Sequence, residues 1–291
     1  MTATIPAEPG YVRLGPVLPA TPVVLSVPHA GRDYPPALLE AARIPLAQLE
    51  LLEDRHADAL VEIAIAAGVP AIIATRARAW IDLNRGEREI DPAAIHPTPV
   101  AGATERSNRS ESGLGLVPTR LPGGGAILVR PIAATELADR IERDHQPYHR
   151  AVAEALAEAH ARFGVAVLID CHSMPPLPAG KGPSATIVLG DRFGRSASPA
   201  ILAAIAIEAQ RSGLRVARNA PYAGAHTLER HGRPAAGIHA IQVELDRTLY
   251  LDSKLRRPGP GLAGLGRFVA RAAECAADAA IGSLITAIAA E

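Results

Sequence analysis

The stretch Val165–Ser173, VAVLIDCHS, decides the fold. Its VAVLID portion is the clearest strand in the chain, and it gives way at once to Cys171, His172 and Ser173. Before it, Thr135–Arg162 carries a long helical pattern with a Thr cap and Glu136 in the first turn. Pro147 should kink or split that helix, because proline removes a backbone donor and crowds the preceding turn. After it come a strand at Ala185–Leu189, a helix at Pro199–Ser212, a strand at Ile238–Leu245 and a closing helix from Leu262. Towards the amino end, Thr21–Val27, Val69–Thr75 and Ala79–Leu83 read as strands. Leu46–Ala67 has helical spacing, with Leu49, Leu52, Leu60, Ile63 and Ala67 on one face. Strands alternating with helices predict one α/β domain over residues 1–291, its mixed, mainly parallel sheet flanked by helices. The long Gly- and Pro-rich stretch Glu87–Gly125 has the character of a binding loop.

Composition narrows the function. The 291 residues carry 30 basic and 30 acidic side chains, a balance that argues against a nucleic-acid or anionic-membrane partner. A 48% hydrophobic content supplies a large core, and two cysteines exclude a disulfide framework. Only Lys181 and Lys254 among the basic residues are lysine. Prolines from Pro6 to Pro22 interrupt any leader-like run, so neither export nor membrane insertion is expected, and a cytoplasmic enzyme is. The Ala-rich tail Phe268–Glu291 carries Arg271, Glu274, Asp278 and Ser283 at intervals, the pattern of an amphipathic surface helix.

Apolar runs in this chain end in ionisable residues. His29 follows LSVP, Asn84 and Arg85 follow WIDL, His172 follows VLID, and Glu244 lies late in IHAIQVEL. Open α/β sheets bind ligands outside the carboxyl ends of their strands, so the four ends should converge on one crevice. His29 and His172 are metal-ligand candidates, and a catalytic zinc requires a third ligand. The run Glu53–Asp58 offers four choices for it, Glu53, Asp54, His56 and Asp58, read as lying on a helix. Glu244, in an apolar strand, is the general-base candidate, since burial raises a carboxylate's pKa. Arg78, Arg85 and Arg130 are candidates for gripping an anionic substrate through a guanidinium fork. Cys171 should point away from His172, because neighbours on a strand face opposite sides. Gly113–Gly115 and Gly123–Gly125 lack the context of phosphate loops.

An ordered set of motifs runs through the chain: Val27–Pro35, Glu53-Asp54 with Asp58, Trp80–Arg85, Gln146–His149, Leu168–Ser173, Gly224–His226, Gly232–Pro234 and Gly237–Tyr250. Together they resemble the N-formylglutamate amidohydrolase (deformylase) family and are more distantly similar to zinc carboxypeptidases and aspartoacylase. The resemblance implies a zinc-exopeptidase-like fold. It also implies one divalent metal, Zn²⁺, on His29, Asp54 and His172, with Glu244 as base. Asn84 and Arg85 would hold the substrate carboxylate, helped by Arg78, Arg130 and His226. The implied substrate is a small anionic N-acyl amino acid, N-formyl-L-glutamate foremost, in amino-acid metabolism such as histidine degradation. Carboxypeptidase-like sites use His-x-x-Glu, whereas Arg32 stands three residues after His29, so the carboxylate ligand comes from elsewhere.

Overall fold

A computed structural model describes residues 9–179 and 183–289. The first eight residues and the last two of the Ala-rich tail, which the readings above include, lie outside them. Nine strands are present among the described residues: β1 (Tyr11–Leu14), β2 (Val23–Val27), β3 (Ala71–Ala74), β4 (Ile95–His96), β5 (Ile132–Ala133), β6 (Ala166–Met174), β7 (Ile187–Gly190), β8 (Val216–Arg218) and β9 (Ile238–Asp246). Seven form one sheet in the order β1-β3-β2-β6-β9-β7-β8, and β4 and β5 make a separate short ladder. Four of the six pairings in the large sheet are parallel; β1 on β3 and β7 on β9 are antiparallel.

Alternation along the central strands divides the core in two. Val167, Ile169 and Cys171 join one cluster, under the helices Pro199–Arg211 and Leu262–Ile288. Ala166 and Leu168 join the other, under the helix Gln146–Phe163 through Tyr148, Val152, Ala155 and Leu156. Cys171 therefore faces away from His172, as strand geometry requires. The closing helix buries Phe268, Val269, Ala272, Ala273, Ala276 and Ala280 along one stripe. No helix among the described residues is long and apolar enough to cross a membrane.

Three local expectations change. Ala79–Leu83 is not a strand. Its backbone is held by other groups: Trp80 N donates to Ala77 O, Asp82 N to Leu116 O, and the Arg140 guanidinium to Trp80 O. Leu46–Ala67 is not one helix but the short pieces Leu46–Leu49, Glu50–Leu52, Ala57–Leu60 and Glu62–Ala66. The break falls where Asp54 N bonds His29 O at 2.9 Å and His56 turns left-handed at φ 59°. Its leucines also serve separate cores, Leu49 and Leu52 in one and Leu60 in another. At Pro147 the long helix does not kink apart; it passes through a π-helical turn, Ile141–His145, that joins Ala134–Arg140 to Gln146–Phe163. A π turn accommodates a residue that cannot follow the regular i→i−4 bonding. Sequence reading also missed the edge strands β1 and β8, which are short and only partly buried.

Candidate active site

His29 lies just past β2, while His172 and Glu244 lie inside β6 and β9 rather than beyond their ends. The parallel register of β6 and β9 sets His172 beside Glu244 and Asp170 beside Gln242. Gly31 lets the loop after β2 run against the chain at Arg76. A Cβ there would sit 2.0 Å from the Arg76 carbonyl oxygen, so only glycine fits. The loop then turns back, and Asp54 arrives beside His29 through the backbone bond already described.

These elements bring three ligand atoms together. His172 Nδ1 lies 3.0 Å from Asp54 Oδ2, and His29 Nδ1 lies 3.3 Å from the same oxygen. The two Nδ1 atoms are 3.1 Å apart, and all three residues are buried. Each imidazole is held from behind. His29 Nε2 donates to Asp82 Oδ1 at 2.7 Å, and His172 Nε2 donates to Asp170 Oδ2 at 2.9 Å. With Nε2 protonated by these contacts, Nδ1 of each ring faces Asp54, as a donor to its carboxylate in the metal-free chain and as the lone-pair ligand once an ion displaces that proton. A carboxylate behind a ligating histidine is the arrangement that fixes its tautomer at metal sites. Arg247 donates to the other oxygen of Asp54, Oδ1, at 3.0 Å, which holds the carboxylate in place. Two nitrogens and one oxygen with a free side fit a zinc-class ion.

The electrostatics follow from this carboxylate density. Burial opposes charge on His172, but Asp170, Asp54 and Glu244 outweigh it and raise its pKa well above the ordinary value. Burial likewise opposes charge on Asp54, yet hydrogen bonds from His172 and His29 hold it well below the carboxylate range. Asp82 is depressed in the same way, with Arg78 its strongest counter-charge. Glu244 behaves oppositely: desolvation prevails over the pull of His172, and its pKa rises to about 7. Its carboxylate accepts from Gln242 Nε2 at 3.0 Å. Arg247, an obvious sequence partner for Glu244, instead bonds Asp54, Glu53 O and Ser173.

A cavity of about 1050 Å³ opens on these groups, lined also by Arg78, Asn84, Arg85, Tyr222, His226 and Arg247. Arg78 grips Asp82 at 2.8–2.9 Å, and Arg85 donates to the carbonyls of Leu114 and Asn84. Asn84 Oδ1 accepts from Thr227 N at 2.9 Å, which orients its amide. Arg130 is exposed and does not line the cavity. The stretch Glu87–Gly125 contributes Glu87, Arg88, Glu89 and Arg109 to the cavity wall, in keeping with its expected character. His56 bonds Arg32 and the Arg256 carbonyl, and Asp58 pairs with Arg32 at the surface, so neither joins the ligand cluster. Asp82, Asp170 and Gln242 were not singled out from sequence, and Arg247 was considered only as a partner of Glu244. Asp82 and Asp170 stand two residues from Asn84 and His172 in the quoted motifs, which is the signal that marks them.

A second histidine cluster reaches the same cavity through His226. His145 Nε2 donates to Arg85 O and His149 Nε2 to Leu83 O, both at 2.8 Å, and His149 Nδ1 lies 3.0 Å from His231 Nε2. His226 completes the group, its ring centroid 5.1 Å from that of His149. Burial lowers the pKa of all four rings, to about 3 for His226 and about 4 for His231.

The model of the N-formylglutamate amidohydrolase family matches residues 21–251. An N-formylglutamate deformylase of Pseudomonas aeruginosa is 30% identical over 240 residues, 80% of this chain and 83% of that protein. One from Pseudomonas putida is 30% identical over 243 residues, covering 79% and 82%. The crystal structure of N-formylglutamate amidohydrolase from Ralstonia eutropha superposes with a TM-score of 0.84 at 31% identity, over 94% of this chain and 98% of that one.

Proposed function

The chain belongs to the N-formylglutamate amidohydrolase family, and from that premise we propose that it is a metal-dependent hydrolase of N-formyl-L-glutamate, releasing formate and glutamate. The observation that carries the metal dependence is the triangle of His29 Nδ1, His172 Nδ1 and Asp54 Oδ2, with Asp82 and Asp170 behind the two imidazoles. A zinc ion bound there supplies Lewis acidity to the scissile carbonyl and lowers the pKa of water.

Glu244 is the general base. Next to His172 in the sheet register, it takes a proton from the attacking water and delivers it to the departing amine. Its tendency to keep a proton, caused by burial, suits it to both halves of that transfer. Arg85, Arg78 and Asn84 hold the substrate carboxylates, because guanidinium and amide donors match carboxylate geometry. Arg85 is nine-tenths or more removed from solvent and fixed by two carbonyls, so little order is lost when it binds an anion. His226 stands on the wall of the cavity and belongs to the second cluster. A cytoplasmic setting fits the balanced charge and a small anionic substrate.

The test is a hydrolysis panel of N-formyl, N-acetyl and dipeptide derivatives of glutamate, run on metal-loaded and chelator-treated protein. Formate release from N-formyl-L-glutamate that stops on chelation is the expected result. Preference for an N-acetyl or dipeptide substrate would instead mark a deacylase or peptidase of different specificity. Turnover of nothing in the panel, with no bound metal, would leave a ligand-binding homologue.

A further inference from the structure

The second histidine cluster has a feature its hydrogen bonds leave unexplained. His145 Nδ1 and His226 Nε2 are buried and have no hydrogen-bond partner, and His145 is fully enclosed. Buried polar nitrogens are nearly always satisfied, so an orphaned pair in one cluster points to an absent group. The main-chain contacts fix what that group must be. A carbonyl oxygen only accepts, so the contacts of Nε2 with Arg85 O and Leu83 O put the protons of His145 and His149 on Nε2. Their lone pairs are therefore on Nδ1. The orphaned His145 Nδ1 needs an electron-pair acceptor, a hydrogen-bond donor or a metal ion.

Helix geometry supports the same conclusion. His145 closes the π-helical turn and His149 follows one turn later, the i,i+4 spacing that places two imidazoles on one face. His226 opens the helix His226–His231 opposite them. One ligand nitrogen from each of the three lies within 4.8 Å of the others. Four-coordinate zinc sets its nitrogens about 3.4 Å apart, so modest side-chain rotation closes the set. Glu87 Oε1 lies 3.7 Å from His145 Nδ1, within reach of an ion held there after a side-chain rotation. In the metal-free chain the His149 lone pair accepts from His231 Nε2, and an ion would displace that single bond. Ligating histidines commonly donate their second nitrogen to a backbone carbonyl, as His145 and His149 do here.

We propose that His145, His149 and His226, with Glu87, form a second divalent-metal site of the zinc class on the wall of the same cavity. It is distinct from the His29/Asp54/His172 cluster and does not depend on the activity proposed above. Because His145 and His149 hold the carbonyls of Arg85 and Leu83, an ion there would also stiffen the loop that presents Asn84 and Arg85.

The full chain, stripped with chelator and titrated with Co²⁺, tests this through bound equivalents and the visible absorption of the cobalt sites. Wild type should bind two equivalents, and His226→Ala and His172→Ala one each, with different spectra. Equal numbers of equivalents in wild type and His226→Ala would overturn the second site. One equivalent in wild type, lost in His226→Ala and kept in His172→Ala, would uphold it and remove the first. Should His226→Ala not fold, Glu87→Gln provides the measurement: the second ion weakens about tenfold or more while the first is unchanged. Unchanged affinity for both ions would overturn the proposal.

Discussion

The loop Asp82–Arg85 separates two histidine clusters and serves them in alternation. Asp82 accepts from His29 at 2.7 Å, and the Asn84 amide lies 3.3 Å from the His172 ring. Leu83 and Arg85 offer their carbonyls to His149 and His145. One cluster is thus backed by carboxylates and the other by neutral main chain. The consequence is electrical. Carboxylates raise the pKa of His172, whereas burial outweighs the more distant carboxylates and lowers those of His145, His149, His226 and His231. The same side chain, buried to a similar degree, is driven to opposite protonation states by whether carboxylates contact it directly.

Experiments that break the first cluster should have the largest effects. His172→Ala should remove its metal and reduce N-formyl-L-glutamate hydrolysis by roughly a thousandfold or more, the several kcal/mol a Lewis acid contributes. Metal analysis alongside the assay checks it, and an active, metal-loaded variant would reject His172 as a ligand. Glu244→Gln should keep the metal and lower kcat by about 10²-fold or more. If it lost the metal while Asp54→Ala retained it, ligand and base would have to be exchanged. Wild-type kcat/KM should fall on the acid side as Glu244 gains its proton. The metal-free value is about 7, and a bound cation favours the carboxylate, so the limb should lie below that pH.

Smaller effects sharpen the contrast between carboxylate and carbonyl support. Asp82→Asn removes the charge behind His29 and should weaken metal binding about 10- to 100-fold, read by competition with a chelating dye. The second cluster should reveal itself through pH. His231 has a folded pKa of about 4 against ~6.5 unfolded, so the unfolded chain takes up the proton first as pH falls. Its contribution to stability is complete above pH ~6.5 and declines towards pH 4, by roughly 2 kcal/mol between pH 7 and 5. Urea unfolding of the metal-free chain measures this, and His231→Gln should flatten the dependence; an unaltered slope would assign it elsewhere. His172 acts with the opposite sign, its raised pKa giving stability below pH ~6.5 that is lost as pH rises through the folded value. Arg130→Ala, at an exposed position away from the cavity, should leave KM unchanged, whereas Arg85→Ala should raise it.

What the sequence by itself determined is whatever depends on near neighbours along the chain. The alternation of strands and helices, the buried strand at VAVLID and the turn of Cys171 away from His172 all follow from local periodicity. So do the candidates themselves: a histidine beside an apolar run and a glutamate within one are visible as chemistry before any fold exists. Tertiary structure decided the rest, because hydrogen-bond partners outside the segment override local preference. WIDL has the composition of a strand, but Leu116, Arg140 and the two histidine clusters claim its polar groups. Asp54 rather than His56 or Asp58 meets the histidines because its backbone is tied to His29 O, which breaks the expected helix. Arg78 rather than Arg130 reaches the cavity because Asp82 holds its guanidinium there. The pairing of β6 with β9 brings His172 and Glu244 side by side although they are far apart in the chain, and no periodicity encodes which strands become neighbours.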